Sequence, residues 1–471
     1  MTGITNPLSP STKLSEKTRI LFWVSCAIAM GLRLTLALVN RQAYDDHMQV
    51  ITWILQHHSL PLREDCWECF QPKLYHLTVA GLIQLLGITN AAGQIVAAQL
   101  INFVAGGITL LVIWAFLKRI GIEDQKLLVF VFLLTALNPV FIAINSQATN
   151  DTFVILFMTL AAYFTFLGLQ EERVQQILLA VLFASLAISS KTNAWAGVFA
   201  ILAALLVKAW LDRARNKRSA LFAVLFFLLV FLIACLNPIN QYIANIRRYR
   251  VPVVVNILTP PFPAFFEKTC LPKSGIVSIQ DGIFTFRFVQ LLEHPSLVDN
   301  MGDCPPYRTS LWTQLYARSY SSRFDDYPPT WSSTTPSVLD LTRLIFVFAL
   351  LPTVVLALGA FLELVAFIKG LVRKNSFDLQ LTSYGLFFFL FWGYIAFIIS
   401  YSLVYREFPV MKAIFIFPGL LAFNAFFVQG ARKIMNWFNR RGWLVWLFQA
   451  ALFGLLALFV ADILLLIVQL M

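Results

Sequence analysis

Long apolar runs alternate along this chain with short polar connectors. A helix needs roughly 17–25 predominantly apolar residues to cross the hydrocarbon core of a bilayer. Runs of this kind predict eleven spans, at residues 20–40, 94–117, 127–144, 151–168, 176–190, 193–208, 220–238, 341–368, 380–404, 411–430 and 443–470. The predicted fold class is an all-α polytopic membrane protein.

Basic residues concentrate in four connectors, at residues 118–126, 208–218, 369–374 and 432–441. Because cytosolic loops carry an excess of lysine and arginine, we expect these four connectors and the N-terminus to be cytosolic and the C-terminus to lie outside. The chain then crosses an odd number of times between Arg41 and Lys118. The run 94–117 is one crossing, so the run 74–88, about 15 residues, is predicted to be a juxtamembrane or re-entrant helix on the outer face.

Composition supports a membrane protein over a nucleic-acid-binding one. Of the 471 residues, 59% are hydrophobic and 13% charged, whereas soluble domains have about a quarter charged residues. The net charge of +12 follows the connectors, which is typical of membrane topology, so no nucleic-acid partner is expected. The first run lacks a small-residue cleavage site and follows basic residues, which predicts a signal anchor.

The topology predicts four regions. Residues 1–17 form a cytosolic tail, and residues 18–238 form a transmembrane module that includes an outer loop at 41–93. Residues 239–340, rich in proline and aromatic residues, are predicted to be an extracytoplasmic cap over the ends of the spans. Residues 341–471 supply the C-terminal transmembrane helices.

Two adjacent acidic residues, Asp45 and Asp46, follow the first predicted span. An aspartate at a helix start can simply satisfy free N–H groups and favour the helix dipole. A cap needs only one carboxylate, however, and two adjacent like charges repel each other. A carboxylate held near apolar surface can become a general base. On the residues alone, both interpretations stay open.

Three further positions combine polar side chains with the end of a predicted helix. Lys73 precedes the short outer helix, where an ammonium and the helix dipole both attract an anion. Asn150 and Asp151 lie where the chain re-enters the membrane, and Lys191 lies in the outer hairpin "SSKTNAW". The alternatives are interfacial lysines at 73 and 191 and a helix cap at Asp151.

Four of the six cysteines are predicted to face outward, Cys66, Cys69, Cys270 and Cys304. An even number in an oxidising compartment favours two disulfides of open connectivity. A zinc site at Cys66 and Cys69 with His57 or His76 is an alternative, as is a redox-active Cys-x-x-Cys pair. Cys26 and Cys235 lie inside predicted spans and are expected to be core residues.

The predicted cap contains several arginines, Arg247, Arg248, Arg250, Arg308, Arg318 and Arg323. The planar guanidinium group matches the geometry of a phosphate, so several arginines over a membrane helix favour a lipid-phosphate site. Solvated surface is the alternative for each of them.

These motifs together resemble the GT-C glycosyltransferases over most of residues 18–240. The similarity is to the branch that contains the dolichyl-phosphate-mannose protein mannosyltransferases and the bacterial aminoarabinose transferases. The shared motifs are Tyr44-Asp45-Asp46, Gln71-Pro72-Lys73-Leu74-Tyr75-His76, Asn150-Asp151-Thr152 and Lys191-Thr192-Asn193. This chain has Asp-Asp where the protein mannosyltransferases have Asp-Glu, and Pro-Lys in place of Pro-Pro.

The resemblance implies transfer of a sugar from a polyprenyl-phosphate-linked donor to an acceptor hydroxyl on the non-cytosolic face, with inversion. The implied acceptor is a glycan, lipid or protein, and the implied catalytic residues are Asp45 as the base with Asp46 and Asp151. Substrate binding would involve Lys73, Tyr75, His76, Asn150, Lys191, Arg247 and Arg308. No cofactor is expected with certainty, and a divalent cation is left open.

A secondary transporter or a lipid-carrier translocase is the alternative function. Such proteins have internal repeats and charged residues near the bilayer midplane, and no repeat is visible in this sequence. A transferase predicts that Asp45, Asp151 and Lys73 line one cavity open to lipid and to outer solvent. A bacterial inner membrane is favoured as the location, and an ER membrane is also compatible.

Overall fold

The computed structural model describes residues 15–43, 46–122, 124–212, 218–254, 279–295, 310–323, 329–331, 335–373, 379–405, 412–438 and 441–471. The regular secondary structure in these ranges is helical. The first α-helices are α1 (Glu16–Val39), α2 (His47–His57), α3 (Leu74–Leu85), α4 (Ala91–Arg119), α5 (Gln125–Ala136), α6 (Pro139–Ile144), α7 (Asp151–Glu171), α8 (Val174–Ser190) and α9 (Ala194–Asp212). They are followed by α10 (Arg218–Leu236), α11 (Tyr242–Tyr249), α12 (Ile279–Ile283), α13 (Phe288–Glu293), α14 (Leu311–Tyr320), α15 (Pro336–Arg373), α16 (Leu379–Tyr405), α17 (Leu420–Phe438) and α18 (Gly442–Leu470).

Within these described ranges, eight helices are long and apolar enough to cross a membrane, namely α1, α4, α7, α9, α10, α15, α16 and α18. The predicted fold class, an all-α multi-pass membrane protein, is confirmed. The three other predicted spans correspond to α5 with α6, to α8 and to α17, which are shorter or more polar. The total of eleven spans therefore stays a prediction.

The predicted span 127–144 is broken into two helices. Helix α5 ends at Ala136, and α6 begins at Pro139, which has no N–H group and is well suited to the first turn of a helix. Asn138 caps the new helix by accepting a hydrogen bond of 2.9 Å from the backbone N–H three residues on. Arg33 of α1 donates to the carbonyl of Ala136 at 2.6 Å, which satisfies a free carbonyl at the break.

Helices α15 and α17 cross at close range because each has a glycine at the contact. A Cβ atom on Gly359 would lie 1.8 Å from the carbonyl oxygen of Phe426, and one on Gly430 would lie 1.9 Å from the carbonyl oxygen of Val355. No side chain fits at these distances. Small residues allow membrane helices to approach in this way, and the crossing ties α15 to α17.

Helices α2 and α3 and the start of α7 share a small apolar core of their own. Val50, Ile54, Tyr75, Val79 and Phe153 are among its buried residues. Helix α3 has 12 residues and is about 18 Å long, which is less than the roughly 30 Å of a hydrocarbon core. This length agrees with the predicted juxtamembrane helix, whereas its position on the outer face stays a prediction.

Two parts of the predicted cap contact the helices near the polar region described below. Helix α14 packs against α6 and against the short turn Ala413–Phe415. Helix α11 contacts the loop before α3, where Arg248 and Tyr249 both bond to Glu64 and Gln241 donates to the carbonyl of Pro61 at 3.0 Å. Parts of the predicted cap thus contact both α6 and the loop before α3.

Candidate active site

A buried ion pair joins the start of α7 to the end of α8. The two helices pack as an antiparallel hairpin, so Asp151 and Lys191 lie at the same end of it. Lys191 Nζ is 2.7 Å from Asp151 Oδ1, and the two side chains are 11% and 1% exposed. Asn150 fixes this end of the hairpin, since its Nδ2 donates to the carbonyl of Ser190 at 3.0 Å.

The second oxygen of Asp151 begins a chain of buried polar side chains. The Thr149 hydroxyl donates to Asp151 Oδ2 at 2.9 Å, and His47 Nε2 lies 3.4 Å from the same hydroxyl oxygen. The other ring nitrogen of His47, Nδ1, lies 3.1 Å from His76 Nε2. Side chains from α2, α3, α7 and the loop before α7 therefore meet at one point.

The surroundings of both histidines favour the neutral imidazole. Burial lowers the pKa of His47 well below its ordinary value, and the charges of Lys191 and Lys412 lower it further. Burial likewise lowers the pKa of His76, with His47 and Lys73 acting in the same direction. A neutral imidazole has one N–H group and one bare nitrogen, so each ring can donate at one end and accept at the other.

Helix α4 holds the loop that contains Thr149. Asn102 is fully buried and its Nδ2 donates to the carbonyls of Gln147 and Thr149 at 2.6 and 2.7 Å. One turn later, Gly106 lets Asn145 approach so closely that a Cβ atom there would lie 1.6 Å from the Asn145 amide oxygen. The loop is thus attached to a transmembrane helix at two points.

A small cavity, partly open to solvent, lies beside Asp151. Its lining includes Asp151 and Thr149 together with two basic residues, Arg318 of α14 and Lys412, which precedes the Ala413–Phe415 turn. Arg318 is 3% exposed. Apolar residues complete the wall, among them Val140, Ala143, Ile144, Trp331, Ala413 and Ile414. A group that is anionic at one end and carries hydroxyls at the other would match this lining.

The three residues predicted to line one cavity are not all found there. Asp151 lines it, Asp45 lies outside the described residues, and Lys73 is not among the lining side chains. The ammonium of Lys73 is fully buried and donates to the carbonyls of Cys69 and Gln71. Burial lowers the pKa of Lys73 to about 7. An anion at Lys73 would have to replace these carbonyls.

The other predicted binding residues on α3 are also buried among protein groups. The Tyr75 hydroxyl lies 3.4 Å from the carbonyl of Ala98 and 3.4 Å from Asn102 Nδ2, and His76 contacts His47. These contacts connect α3 to the loop that carries Thr149. Substrate binding by Tyr75, His76 and Asn150 stays a prediction.

The remaining predicted site residues are at the edge of the described structure or beyond it. Asp46 has a left-handed backbone with φ 55° and is exposed, and its side chain does not cap α2. Arg247 is exposed on α11. Asp45 and Arg308 lie outside the described residues.

Cys66 and Cys69 form a disulfide across the short turn that precedes Gln71. One predicted cystine is therefore present, and both sulfurs are removed from the alternative zinc site. Cys270 and Cys304 lie outside the described residues, and Cys26 and Cys235 are free thiols within α1 and α10. Among the described residues, no group of three histidine, cysteine, aspartate or glutamate side chains comes together as metal ligands.

Three residues of this region were not selected from the sequence: His47, Thr149 and Asn102. His47 directly follows the acidic pair, and Thr149 stands in the polar run "NSQATND" between two apolar helices. Both positions were therefore visible as polar residues near predicted site residues. Asn102 has a weaker signal, a single amide within an otherwise apolar span.

Residues 77–236 match the family model described as dolichyl-phosphate-mannose-protein mannosyltransferase. The matched segment includes Asn102, Thr149, Asp151 and Lys191. The predicted resemblance to the GT-C glycosyltransferases is confirmed. The match supports a glycosyltransferase of this superfamily, and it leaves the sugar open.

Solved structures of ArnT from Cupriavidus metallidurans are also similar to this chain. The structure bound to undecaprenyl phosphate has a TM-score of 0.37 and the apo structure one of 0.39. Each is 14% identical, and each comparison covers 88% of this chain and 78% of that chain. At these scores the similarity does not extend to individual residues. Among curated proteins, no sequence matches this chain.

Proposed function

We propose that the protein is a glycosyltransferase that moves a sugar from a polyprenyl-phosphate donor to an acceptor hydroxyl on the non-cytosolic membrane face, with inversion. The observation that carries this proposal is the cavity that Asp151, Arg318 and Lys412 line together. The family match over residues 77–236 supports the same reaction class.

The donor's chemistry explains the cations. A single displacement forms a bond between the acceptor oxygen and the anomeric carbon while the bond from that carbon to the phosphate oxygen breaks. The phosphate leaves with the electron pair and needs positive charge nearby more than it needs a general acid. We assign this role to Arg318 and Lys412, which both line the cavity, whereas the charge of Lys191 is balanced by Asp151.

The acceptor's chemistry explains the carboxylates. The attacking hydroxyl must lose its proton, and one base suffices, in contrast to the two carboxyl groups of a glycosidase. We assign this role to Asp45. Asp151 accepts hydrogen bonds from sugar or acceptor hydroxyls at the cavity wall, and Asp46 supports the base from the next position.

A lipid donor fits the surroundings of the cavity. Its apolar wall is built from α6 and from the segment before α17, and α6 lies between membrane helices in the chain. A polyprenyl chain could remain in the bilayer while its phosphate and sugar enter the polar part. On the predicted topology this entry is on the outer leaflet.

The test is turnover of a panel of polyprenyl-phosphate sugars by purified wild-type protein, read as release of polyprenyl phosphate. We expect at least one donor to be consumed and Asp45→Asn to slow its consumption about 100-fold or more. The matched variant Asp46→Asn, which makes the same change one position later, should lose less activity than Asp45→Asn. If the wild type neither binds nor consumes any donor of the panel, the proposed function is wrong.

A further inference from the structure

The contacts of the Thr149 hydroxyl determine its direction. An ionised carboxylate only accepts hydrogen bonds, so at 2.9 Å the single hydroxyl proton of Thr149 points to Asp151 Oδ2. The backbone N–H of Asp151 donates to the Thr149 hydroxyl oxygen at 3.3 Å. One lone pair of the hydroxyl is then left for His47 Nε2 at 3.4 Å.

The direction of the Thr149 hydrogen bond determines which ring nitrogen of each histidine carries the proton. His47 must carry its proton on Nε2 to donate to Thr149, and its Nδ1 is then a bare acceptor. His76 Nε2 lies 3.1 Å away, and we infer that it donates to that Nδ1. The order of donors therefore runs from His76 through His47 and Thr149 to Asp151. His76 selects the tautomer of His47, as the partner of one ring nitrogen does in other buried histidines.

We propose that His47 is a positioning residue for the reaction: by donating to the Thr149 hydroxyl, it holds the proton of that hydroxyl on Asp151 and keeps the carboxylate in one orientation at the cavity wall. The inference rests on the proposed function because it assigns Asp151 a substrate. It gives a role to His47, which directly follows the acidic pair in the sequence. The same contact ties the start of α2 to the loop before α7.

Burial shields the contacts between His76, His47 and Thr149 from solvent. His47 is 1% exposed, His76 is fully buried and Thr149 is 2% exposed, so water does not compete for these groups. A buried donor or acceptor left without a partner costs roughly 1–3 kcal/mol. Each member therefore constrains the next, and we expect the three side chains to act as a unit.

The test compares Thr149→Val, which keeps the shape and removes the hydroxyl, with Thr149→Ser, which keeps the hydroxyl. Loss of one oriented hydrogen bond should lower kcat about tenfold in Thr149→Val with less than about a twofold change in KM. Thr149→Ser should stay within about twofold of the wild type. His47→Phe should match Thr149→Val, and the double variant should lose no more than about tenfold.

Two outcomes would overturn the proposal: equal losses in Thr149→Ser and Thr149→Val, which would indicate packing alone, or losses that multiply in the double variant. A second measurement does not depend on activity. The effects of His47→Phe and Asp151→Asn on the melting midpoint should be non-additive, and they should become additive once Thr149 is valine. If the wild type transfers no sugar but this coupling is found, the contact stands and the proposed function fails. If the effects are additive in both backgrounds, the contact itself is refuted.

Discussion

Two buried carboxylate–cation pairs differ in what surrounds them. Asp151 and Lys191 are 2.7 Å apart, and Asp462 and Arg323 are 2.6 Å apart. Lys191 is 11% exposed and Asp151 lines a cavity, whereas Arg323 and Asp462 are 1% and 0% exposed. The charges are about equally far apart in the two pairs, but Asp151 lines a cavity, whereas Asp462 and Arg323 are enclosed by protein.

The partners of the two cations differ as well. The guanidinium of Arg323 donates to Gln469 Oε1 at 2.8 Å and to the carbonyls of Trp331 and Asp462 at 3.3 and 3.2 Å. These bonds attach the segment after α14 to α18. A buried pair with its donors used in this way is a structural connection. On the proposed function, access more than pairing separates the Asp151–Lys191 pair from this structural connection.

The largest expected effect is on the enclosed pair. Arg323→Met leaves the Asp462 carboxylate buried without its cation and should lower the free energy of unfolding by about 3–5 kcal/mol. The melting midpoint in detergent measures this loss. The double variant Arg323→Met/Asp462→Leu removes both charges and should recover most of the stability. A single variant that melts like the wild type would break the comparison.

The next largest effect is expected for the Asp151–Lys191 pair, and it should fall on turnover more than on stability. Asp151→Asn should lower turnover about 100-fold, because an amide has only one acceptor oxygen and no charge to hold Lys191 and the Thr149 proton. Its melting midpoint should fall much less than that of Arg323→Met, since water can enter beside Lys191. Asp340→Asn, the same change at a side chain 68% exposed on α15, is the control and should leave turnover unchanged.

The Asp151–Lys191 pair could be predicted in part from the sequence, whereas the Arg323–Asp462 pair could not. Asp151 and Lys191 each stand at the end of an apolar run, and two runs joined by a short connector form a hairpin that brings those ends together. The order of the family motifs along the chain gave the reason to select these two residues as site residues. Arg323 and Asp462 are 139 positions apart, and nothing local in either segment indicates the other.

The difference between local signals and long-range contacts also explains where the other sequence predictions and the structure differ. The break between α5 and α6 has a local signal in Asn138-Pro139, but the continuous apolar run 127–144 outweighed it in the span prediction. The contact of His47 with Thr149 has no local signal, because it depends on how α2 packs on α3 and on where Asn102 holds the loop. The sequence therefore predicted the positions near helix ends better than the contacts between them.

Lys73 is a third buried charge, and its effect on stability can be measured by changing the pH. Its pKa falls from 10.5 to about 7 in the folded protein because burial disfavours the ammonium, with partial compensation from Glu68 and Asp65. Below pH 7 both the folded and the unfolded chain carry the proton, so this group does not make stability vary with pH. Between about pH 7 and 10.5 only the unfolded chain binds it, so stability should rise with pH by at most about 1.4 kcal/mol per unit.

Melting midpoints across that window measure the slope. Lys73→Met should remove the part of the slope that comes from this group, whereas Lys126→Met, at an exposed connector position, should keep it. A wild-type slope that survives in Lys73→Met would mean that the Cys69 and Gln71 carbonyls keep the ammonium charged. In that case Lys73 would resemble Arg323, a buried cation satisfied by protein oxygens.

The smallest effect is expected for an ion pair at the surface. Arg248 and Glu64 connect α11 to the loop before α3, with side chains 51% and 38% exposed. Water and salt screen such a pair, so Arg248→Ala should lower the free energy of unfolding by less than about 1 kcal/mol, and added salt should reduce even this difference. Arg247→Ala on the same helix is the matched control. If Arg248→Ala destabilised the protein as much as Arg323→Met, exposure would not be the property that ranks these pairs, and access could no longer be used to assign Asp151 its role.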